Sequence, residues 1–488
     1  MLVPEISLTP QTVNRFISRF GEEKIAVLHS KLSPGERFDQ WQKIQKGIAK
    51  IVIGPRSAVF APVHDLGIII IDEEHDGSYK SEMSPRYHVK HVAGFIAKKN
   101  DIPLVLGSAT PSIDTYYKGL NGDIEILELK SRANNMDLPN VEIVDLRQEL
   151  KDGNRSMLSN RLFQEITKNL QDKKQTILFL NRRGFSTFVM CRECGYTVKC
   201  KSCDVTLTYH NSEKKLKCHY CGYETDIVKK CPECNSDNIR YFGTGTQKLE
   251  AEINKIFPDA STIRMDIDTI NKKDSHEKIL EKFKNENVDI LIGTQMIVKG
   301  HHFPNVTLVG VIAADTNLNI EDFRANEKTF QILTQVAGRA GREQKGRVII
   351  QTYNPDNFSI EYAKKQDYKL FYNTEIMLRK NLRYPPFCDI LTFLFTGENE
   401  NEVIDISKDI HVFFKNKIKI DKLKILLYSP VPAPIEKIKN KYRWRIIVKC
   451  ICDDQIIFAV NECLQYFDKI KKSDTTKVIV DLNPNNML

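Results

Sequence analysis

Four C-x-x-C pairs lie between positions 191 and 234 of this chain: Cys191/Cys194, Cys200/Cys203, Cys218/Cys221 and Cys231/Cys234. Each offers two thiolates at the spacing of a metal-binding knuckle. Redox-active dithiols are the alternative, and eight thiols in so short a stretch favour metal. No basic cluster followed by an apolar core opens the chain, so a secretory leader is not expected and the chain is read as cytoplasmic. Thiols stay reduced there, so 12 cysteines point to metal rather than to disulfides. Between Cys203 and Cys218, Thr206-Leu207-Thr208-Tyr209 and Lys215-Leu216-Lys217 read as a hairpin that returns one knuckle to another. That nests Cys200, Cys203, Cys218 and Cys221 on one Zn²⁺ and leaves Cys191, Cys194, Cys231 and Cys234 for a second. Sequential pairing would ask the short link 195–199 to bring two knuckles to opposite sides of one ion. Sulfur then fills all four positions of each ion, leaving none for water, so both zincs are read as structural. His210 and His219 have no ligand role in this scheme.

The chain around this insert is 488 residues long, enough for about three or four domains. No apolar run approaches the ~20 residues needed to cross a bilayer. The formal charge of +9 suits a polyanionic partner, although many ordinary proteins share it. On either side of the insert one grammar repeats: a short β-branched strand, an abrupt polar motif, then a helical stretch. Residues 50–53, 66–71 and 104–106 run into Gly54-Pro55-Arg56-Ser57, Asp72-Glu73-Glu74-His75 and Gly107-Ser108-Ala109-Thr110. Residues 176–180, 289–292 and 306–312 run into Asn181-Arg182-Arg183-Gly184, Gly293-Thr294-Gln295 and Ala313-Ala314-Asp315. Fully apolar strands of this kind belong to parallel sheets covered on both faces, with ligands at the carboxyl ends. Two α/β domains, each with a row of polar motifs, predict a ligand held between them; two unrelated doubly wound domains are the alternative. Residues 120–150 read as a connector between them. After about residue 380, Pro385-Pro386, strands near 390–395, 424–428 and 443–448, and a helix near 402–415 predict a small α+β domain.

Asp72 and Glu73 at a strand end can divide labour, Asp72 holding Mg²⁺ and Glu73 deprotonating an attacking water. Alone, such a tetrapeptide reads as a solvated turn. Gly338-Arg339-Ala340-Gly341-Arg342 follows a helical segment with Phe330, Leu333 and Val336 on one face, and its two arginines can reach a polyphosphate. Alone, it reads as a basic surface turn. They do not stand alone. In order come Leu2-Val3-Pro4-Glu5, Asp72-Glu73-Glu74-His75, Gly107-Ser108-Ala109-Thr110-Pro111-Ser112, Asn181-Arg182-Arg183-Gly184, Gly293-Thr294-Gln295-Met296 and Lys299-Gly300-His301-His302-Phe303. Gln335-Val336-Ala337-Gly338-Arg339-Ala340-Gly341-Arg342 closes the set. The ordered set resembles the superfamily 2 helicases and, among them, the PriA family of bacterial primosomal helicases, from Leu2 to the C-terminus.

The resemblance implies an α/β protein: two RecA-like helicase lobes, a binuclear zinc-ribbon insert and a small C-terminal α+β domain. Lobe 1 would take residues 1–125, a connector and the start of lobe 2 residues 126–185, the insert 186–240, the rest of lobe 2 241–380, and the last domain 381–488. It implies Asp72, Glu73, Arg339 and Arg342 as catalytic residues, with Glu74, His75, Gln335, Gly338 and Gly300 at the nucleotide. Pro4, Arg56, Ser57, Thr294, Gln295 and Lys299 would line a single-strand path, where small polar groups reach phosphates. Tyr79, Lys80 and Tyr87 would form an aromatic, basic loop that stacks on unpaired bases. By the residues alone, Tyr79 and Tyr87 read equally well as packing residues. The nested zinc arrangement is shared by the family.

A superfamily 2 helicase carries a G-x-x-x-x-G-K-[S/T] phosphate loop ahead of the Leu2 motif. No stretch of the sequence fits it: Gly243-Thr244-Gly245-Thr246-Gln247-Lys248 has the wrong spacing and falls in the second lobe. The expectation is a sequence that begins inside the family's reading frame, without the N-terminal DNA-binding domain and with an open edge on its first sheet. The implied function is an ATP- and Mg²⁺-dependent 3′ to 5′ helicase that acts on single-stranded and forked DNA. It would restart replication with primosome and single-strand-binding proteins, away from any membrane. The rival is a DNA-binding primosome scaffold that does not hydrolyse ATP. A plain zinc-ribbon protein leaves residues 335–342 unexplained.

Overall fold

A computed structural model describes residues 1–4, 10–30, 32–129, 138–180, 188–210, 215–226, 228, 230–242, 245–266, 275–286, 288–294, 297, 303–340 and 346–487. The chain divides into a unit containing Met1–Glu128 and a unit containing Leu129–Gln295 and Phe303–Leu488. In the first, four three-residue strands pair in parallel as β1 (Ile25–Val27) with β2 (Ile51–Ile53) and β3 (Ile69–Ile71) with β4 (Leu104–Leu106). Leu2 joins the pairs. Its amide donates to the Ile70 carbonyl (2.7 Å), its carbonyl accepts from Asp72 (2.9 Å), and the Val3 amide donates to Gly54 (3.0 Å). Leu2, Ile71, Tyr79, Val89 and Ala93 then pack into one core beneath the helix Val89–Asn100. Among the described residues β4 pairs with β3 alone, and Val105 on it is 42% exposed.

The second unit is built on a six-stranded parallel sheet. Its order is β12 (Thr262–Met265), β13 (Ile290–Gly293), β6 (Gln175–Phe179), β14 (Val306–Val311), β15 (Arg347–Thr352) and β5 (Asn140–Asp145). The strands β6, β13 and β14 are buried along their whole length, as near-continuous apolar strands between two helical layers must be. The strand β5 corrects the reading of 120–150 as a connector: it pairs with β15 in register from Asn140 to Asp145, and the helix Leu146–Lys151 follows it. An edge strand is only half-buried, so Asn140-Val141-Glu142-Ile143 lacks the apolar run that marks the inner strands.

Two antiparallel elements open from this sheet. β7 (Phe188–Cys191) pairs with β11 (Ile239–Phe242) at the root of the cysteine-rich insert, and β8 (Thr208–His210), β9 (Lys215–Lys217) and β10 (Glu224–Asp226) form its three-stranded sheet. The hairpin expected between Cys203 and Cys218 is β8–β9, with 211–214 outside the described residues. Beyond the helix Tyr368–Leu382, β16 (Asp389–Gly397), β17 (Leu426–Leu427), β18 (Val431–Ile438), β19 (Lys441–Cys450) and β20 (Lys477–Leu482) form an antiparallel sheet. The helices Glu400–Ile420 and Asp454–Ile470 bury Val403, Ile406, Ile410, Phe414, Ala459 and Phe467 against it. The α+β domain read from the sequence is present, with β17 only two residues long where five were expected.

Arg379 sits 2% exposed where the helices of this unit meet, donating to Glu375 (2.9 Å), Glu327 (2.6 Å) and the Pro385 carbonyl (3.1 Å). Burial pushes the Glu375 carboxyl up, and Arg379 opposes that shift. Removing the cation strands two buried carboxylates, so Arg379→Met should cost about 3–5 kcal/mol, read as a lower urea midpoint. A loss below about 1 kcal/mol, the range of exposed pairs, would contradict this account.

Candidate nucleotide site and metal centres

Three polar motifs of the first unit fall at carboxyl ends of parallel strands. Gly54 follows β2, Asp72 follows β3 and Gly107 follows β4. The chain turns sharply after Asp72: Glu73 is left-handed (φ 47°), and its amide is capped by the Asp72 carboxylate at 3.0 Å. The turn sends three consecutive acids different ways. Asp72 and Glu73 stay half-exposed, while Glu74 is 1% exposed. Glu74 takes the Lys90 ammonium (2.6 Å), the Ser112 amide (2.6 Å) and the Thr115 hydroxyl (3.0 Å). Burial alone would raise the Glu74 pKa, but Lys90 and Ser112 outweigh it and hold the carboxyl below its usual range. Glu74, expected at the nucleotide, is thus engaged within the protein and ties the strand end to the helix Ile113–Leu120. His75 Nδ1 lies 2.7 Å from Ser108 Oγ, which links the Asp72 motif directly to the Ser108 motif. Burial pushes the Asp72 carboxyl up, against the Glu73 amide; a divalent cation would relieve that cost. The residues fit Mg²⁺ in this respect.

The proposed DNA residues divide. Tyr79 is fully buried, its hydroxyl donating to the Asp72 carbonyl at 2.6 Å, so it packs rather than stacks on a base. Lys80 is buried too, its ammonium donating to the Arg86 carbonyl (3.2 Å), and Pro4 is buried. Tyr79 packs with Leu2, Ile71 and Val89, because short strands leave the loop after Asp72 to complete the core. Arg56 is half-buried, donating to the carbonyls of Ser78 (3.1 Å) and Lys80 (2.5 Å). Ser57 is exposed. Tyr87 is half-buried, its ring edge-on to the exposed Phe60 at 5.1 Å and 5.9 Å from the Arg56 guanidinium.

In the second unit Thr294 follows β13 and is half-exposed. Gln335 lies in the last turn of the helix Ala325–Ala337, Gly338 caps it, and Arg339 follows, half-exposed. Phe330, Leu333 and Val336 form the buried face of that helix. Gln295, Lys299, Gly300 and Arg342, and the 181–184 motif, lie outside the described residues.

The eight cysteines gather into two sets, Cys191/Cys194/Cys231/Cys234 and Cys200/Cys203/Cys218/Cys221, each with sulfurs within 4.8 Å of one another. Within them Cys194 and Cys231 sulfurs approach to 3.4 Å, Cys200 and Cys221 to 3.5 Å, and Cys191 and Cys234 to 3.6 Å. All four knuckles share one turn. The amide of the residue after the second cysteine donates to the first cysteine's carbonyl: Gly195 to Cys191, Asp204 to Cys200, Gly222 to Cys218 and Asn235 to Cys231, each at 2.9 Å. Those four residues have φ between +52° and +79°, the left-handed region open to Gly, Asn and Asp. At Gly195 a Cβ would also clash with the Tyr353 carbonyl. The identity of the residue after each C-x-x-C was a signal in the sequence that spacing alone missed. Four sulfurs per set, without oxygen or nitrogen, suit a tetrahedral thiophilic ion.

Known protein families match four parts of the chain. The DEAD/DEAH box helicase family matches residues 1–118, the helicase conserved C-terminal domain 225–344, the PriA DNA helicase Cys-rich region domain 200–225 and the primosomal protein N C-terminal domain 380–485. The replication restart protein PriA of Bacillus subtilis is 47% identical over the full chain, which spans 60% of that relative's length. PriA of Synechocystis is 44% identical over 99% of the chain and 58% of its own length. PriA of Rickettsia felis is 38% identical over 100% of the chain and 74% of its own length. The chain belongs to the PriA family of replication restart proteins.

Proposed function

We propose that this chain carries the motor, zinc and C-terminal parts of an ATP-dependent 3′ to 5′ DNA helicase that restarts replication at stalled forks. The observation that carries the reading is the contact between His75 and Ser108 beside Asp72 and Glu73. It joins a hydrolytic motif to a second motif within one unit, as a nucleotide-driven motor needs. Asp72 would hold Mg²⁺, which supplies charge neutralisation to a triphosphate when bound. Glu73 would orient a water and take its proton, and Arg339 and Arg342 would stabilise charge developing on the phosphate. Primosome and single-strand-binding proteins are the proposed partners. No described helix is long and apolar enough to cross a membrane.

For hydrolysis, the chain should be extended upstream of Met1 by a phosphate-loop strand, loop and helix. DNA-stimulated ATP turnover is expected, and Glu73→Gln should lower it by about 10²–10⁴-fold, the usual worth of a general base, with nucleotide binding retained. Unchanged turnover in Glu73→Gln would remove Glu73 from the chemistry.

For DNA, affinity for single strands should fall as salt rises, with a log–log slope of about −0.7 per phosphate contacted. Tyr87→Ala should weaken binding by about 1–3 kcal/mol at unchanged fold, while Tyr79→Ala should act on stability. Salt-independent binding, or full affinity in Tyr87→Ala, would overturn the aromatic-loop reading.

For the metals, zinc on each cysteine set is proposed as structural. Elemental analysis should give two Zn²⁺ per chain, and chelation should unfold the insert locally. One ion per chain would contradict the nested pairing.

A further inference from the structure

The two cysteine sets have the same ligands and different surroundings. In the Cys191 set, Cys234 is exposed and Cys194 is half-buried; in the Cys200 set, all but the half-buried Cys221 are buried. Their neighbours differ more. The C-terminal domain grips the backbone of the Cys200 set: Tyr384 Oη donates to the Cys203 carbonyl (3.1 Å), and Arg445 Nε and Nη2 donate to the His219 carbonyl (3.1 and 2.7 Å). The His219 ring nitrogen Nδ1 lies 3.0 Å from the Pro432 carbonyl. On the sheet side of the same knuckle, the His219 amide (2.5 Å) and the Thr208 hydroxyl (2.9 Å) both donate to Glu321. The Phe323 ring stacks on Tyr384 at 4.6 Å. The described hydrogen bond to the backbone of the Cys191 set comes from Arg147, to the Cys194 carbonyl (3.4 Å), and Val189 and Tyr196 beside that set reach the Tyr384 cluster through apolar packing alone.

His219 lies between Cys218 and Cys221. The direction of its amide and carbonyl is therefore set by the knuckle turn, and that turn is what a bound ion holds closed. Glu321 and Arg445 are 1% and 5% exposed. Each takes a backbone partner from this one turn, beside the Thr208 hydroxyl for Glu321 and the Met487 carbonyl for Arg445, and a buried polar group left short of a partner is destabilising.

We propose that the Cys200/Cys203/Cys218/Cys221 centre is a metal-held latch that fastens residues 381–488 to the six-stranded sheet domain, and that the Cys191 centre is not. The latch rests on the zinc reading above, and zinc content is measured separately from docking, so failure of either is distinguishable. Its consequence is graded. An ion lost from the more exposed centre leaves the C-terminal domain docked, whereas an ion lost from the buried centre releases it.

The test uses the whole chain in two variants, Cys234→Ser and Cys221→Ser, with zinc content, hydrogen exchange at the Phe323 and Tyr384 amides, and limited proteolysis near residue 385. Cys221→Ser should raise exchange at both amides by about tenfold or more, the scale of one lost hydrogen bond to a charged group, and open the junction to protease. Cys234→Ser should leave both readouts at the level of the unsubstituted chain. If Cys221→Ser does not fold, staged chelation of the unsubstituted chain replaces it: exchange at these amides should rise only with release of the second, slower ion. Equal opening in both variants, opening with the first ion released, or no opening after both are lost would each overturn the latch.

Discussion

Glu321 and Arg445 are buried ionisable side chains that share one backbone residue, His219, and so tie together three distant parts of the second unit. Glu321 belongs to the loop before the helix Ala325–Ala337, His219 to a cysteine knuckle and Arg445 to β19 of the C-terminal sheet. Taking either charge out of water is costly unless its partners are in place. Burial drives the Glu321 carboxyl up to about 7, with Arg445 and the His219 amide opposing the shift. Three segments far apart in sequence must therefore fold into one body, and the cysteine insert is its centre rather than an appendage. The insert's own core extends this, since Leu207, Leu216 and Tyr220 pack in one cluster with Tyr384, Ile390 and Ile447.

In the first unit the same economy acts on a smaller scale. Three consecutive acids look equivalent in the sequence, yet a left-handed turn at Glu73 sends Glu74 inward to Lys90 while Asp72 and Glu73 keep access to water. Glu74 fixes the loop that follows β4, and His75 touches Ser108 on that loop. The carboxylates proposed for chemistry are thus carried on a turn whose position depends on a buried ion pair. Rigid support of this kind is what phosphoryl transfer, dependent on positioning, requires.

Much of this was legible from residue order. Runs such as Ile51-Val52-Ile53 and Ile69-Ile70-Ile71 mark parallel strands because no polar residue interrupts them, and the hairpin between Cys203 and Cys218 dictates which thiols meet. Other features were hidden for physical reasons. A half-buried edge strand, β5, carries Glu142 and so reads as a linker. Tyr79 beside Lys80 has the composition of a nucleic-acid loop, but only the packing of Leu2, Ile71 and Val89 around it shows that the ring completes a core. Glu74 could not be separated from its neighbours without the backbone turn. Lys90, Glu321 and Arg445 carry no motif at all, because their roles come from partners distant in the chain.

The account rests on each cysteine set closing around an ion through sulfur alone. X-ray absorption at the zinc edge of the purified chain tests this most directly. Four sulfur neighbours at about 2.3 Å, with no nitrogen or oxygen at about 2.0 Å, are expected from both sites together. A first shell containing a histidine nitrogen or a water oxygen would mean that at least one centre is open. The structural role given to the insert would then be wrong.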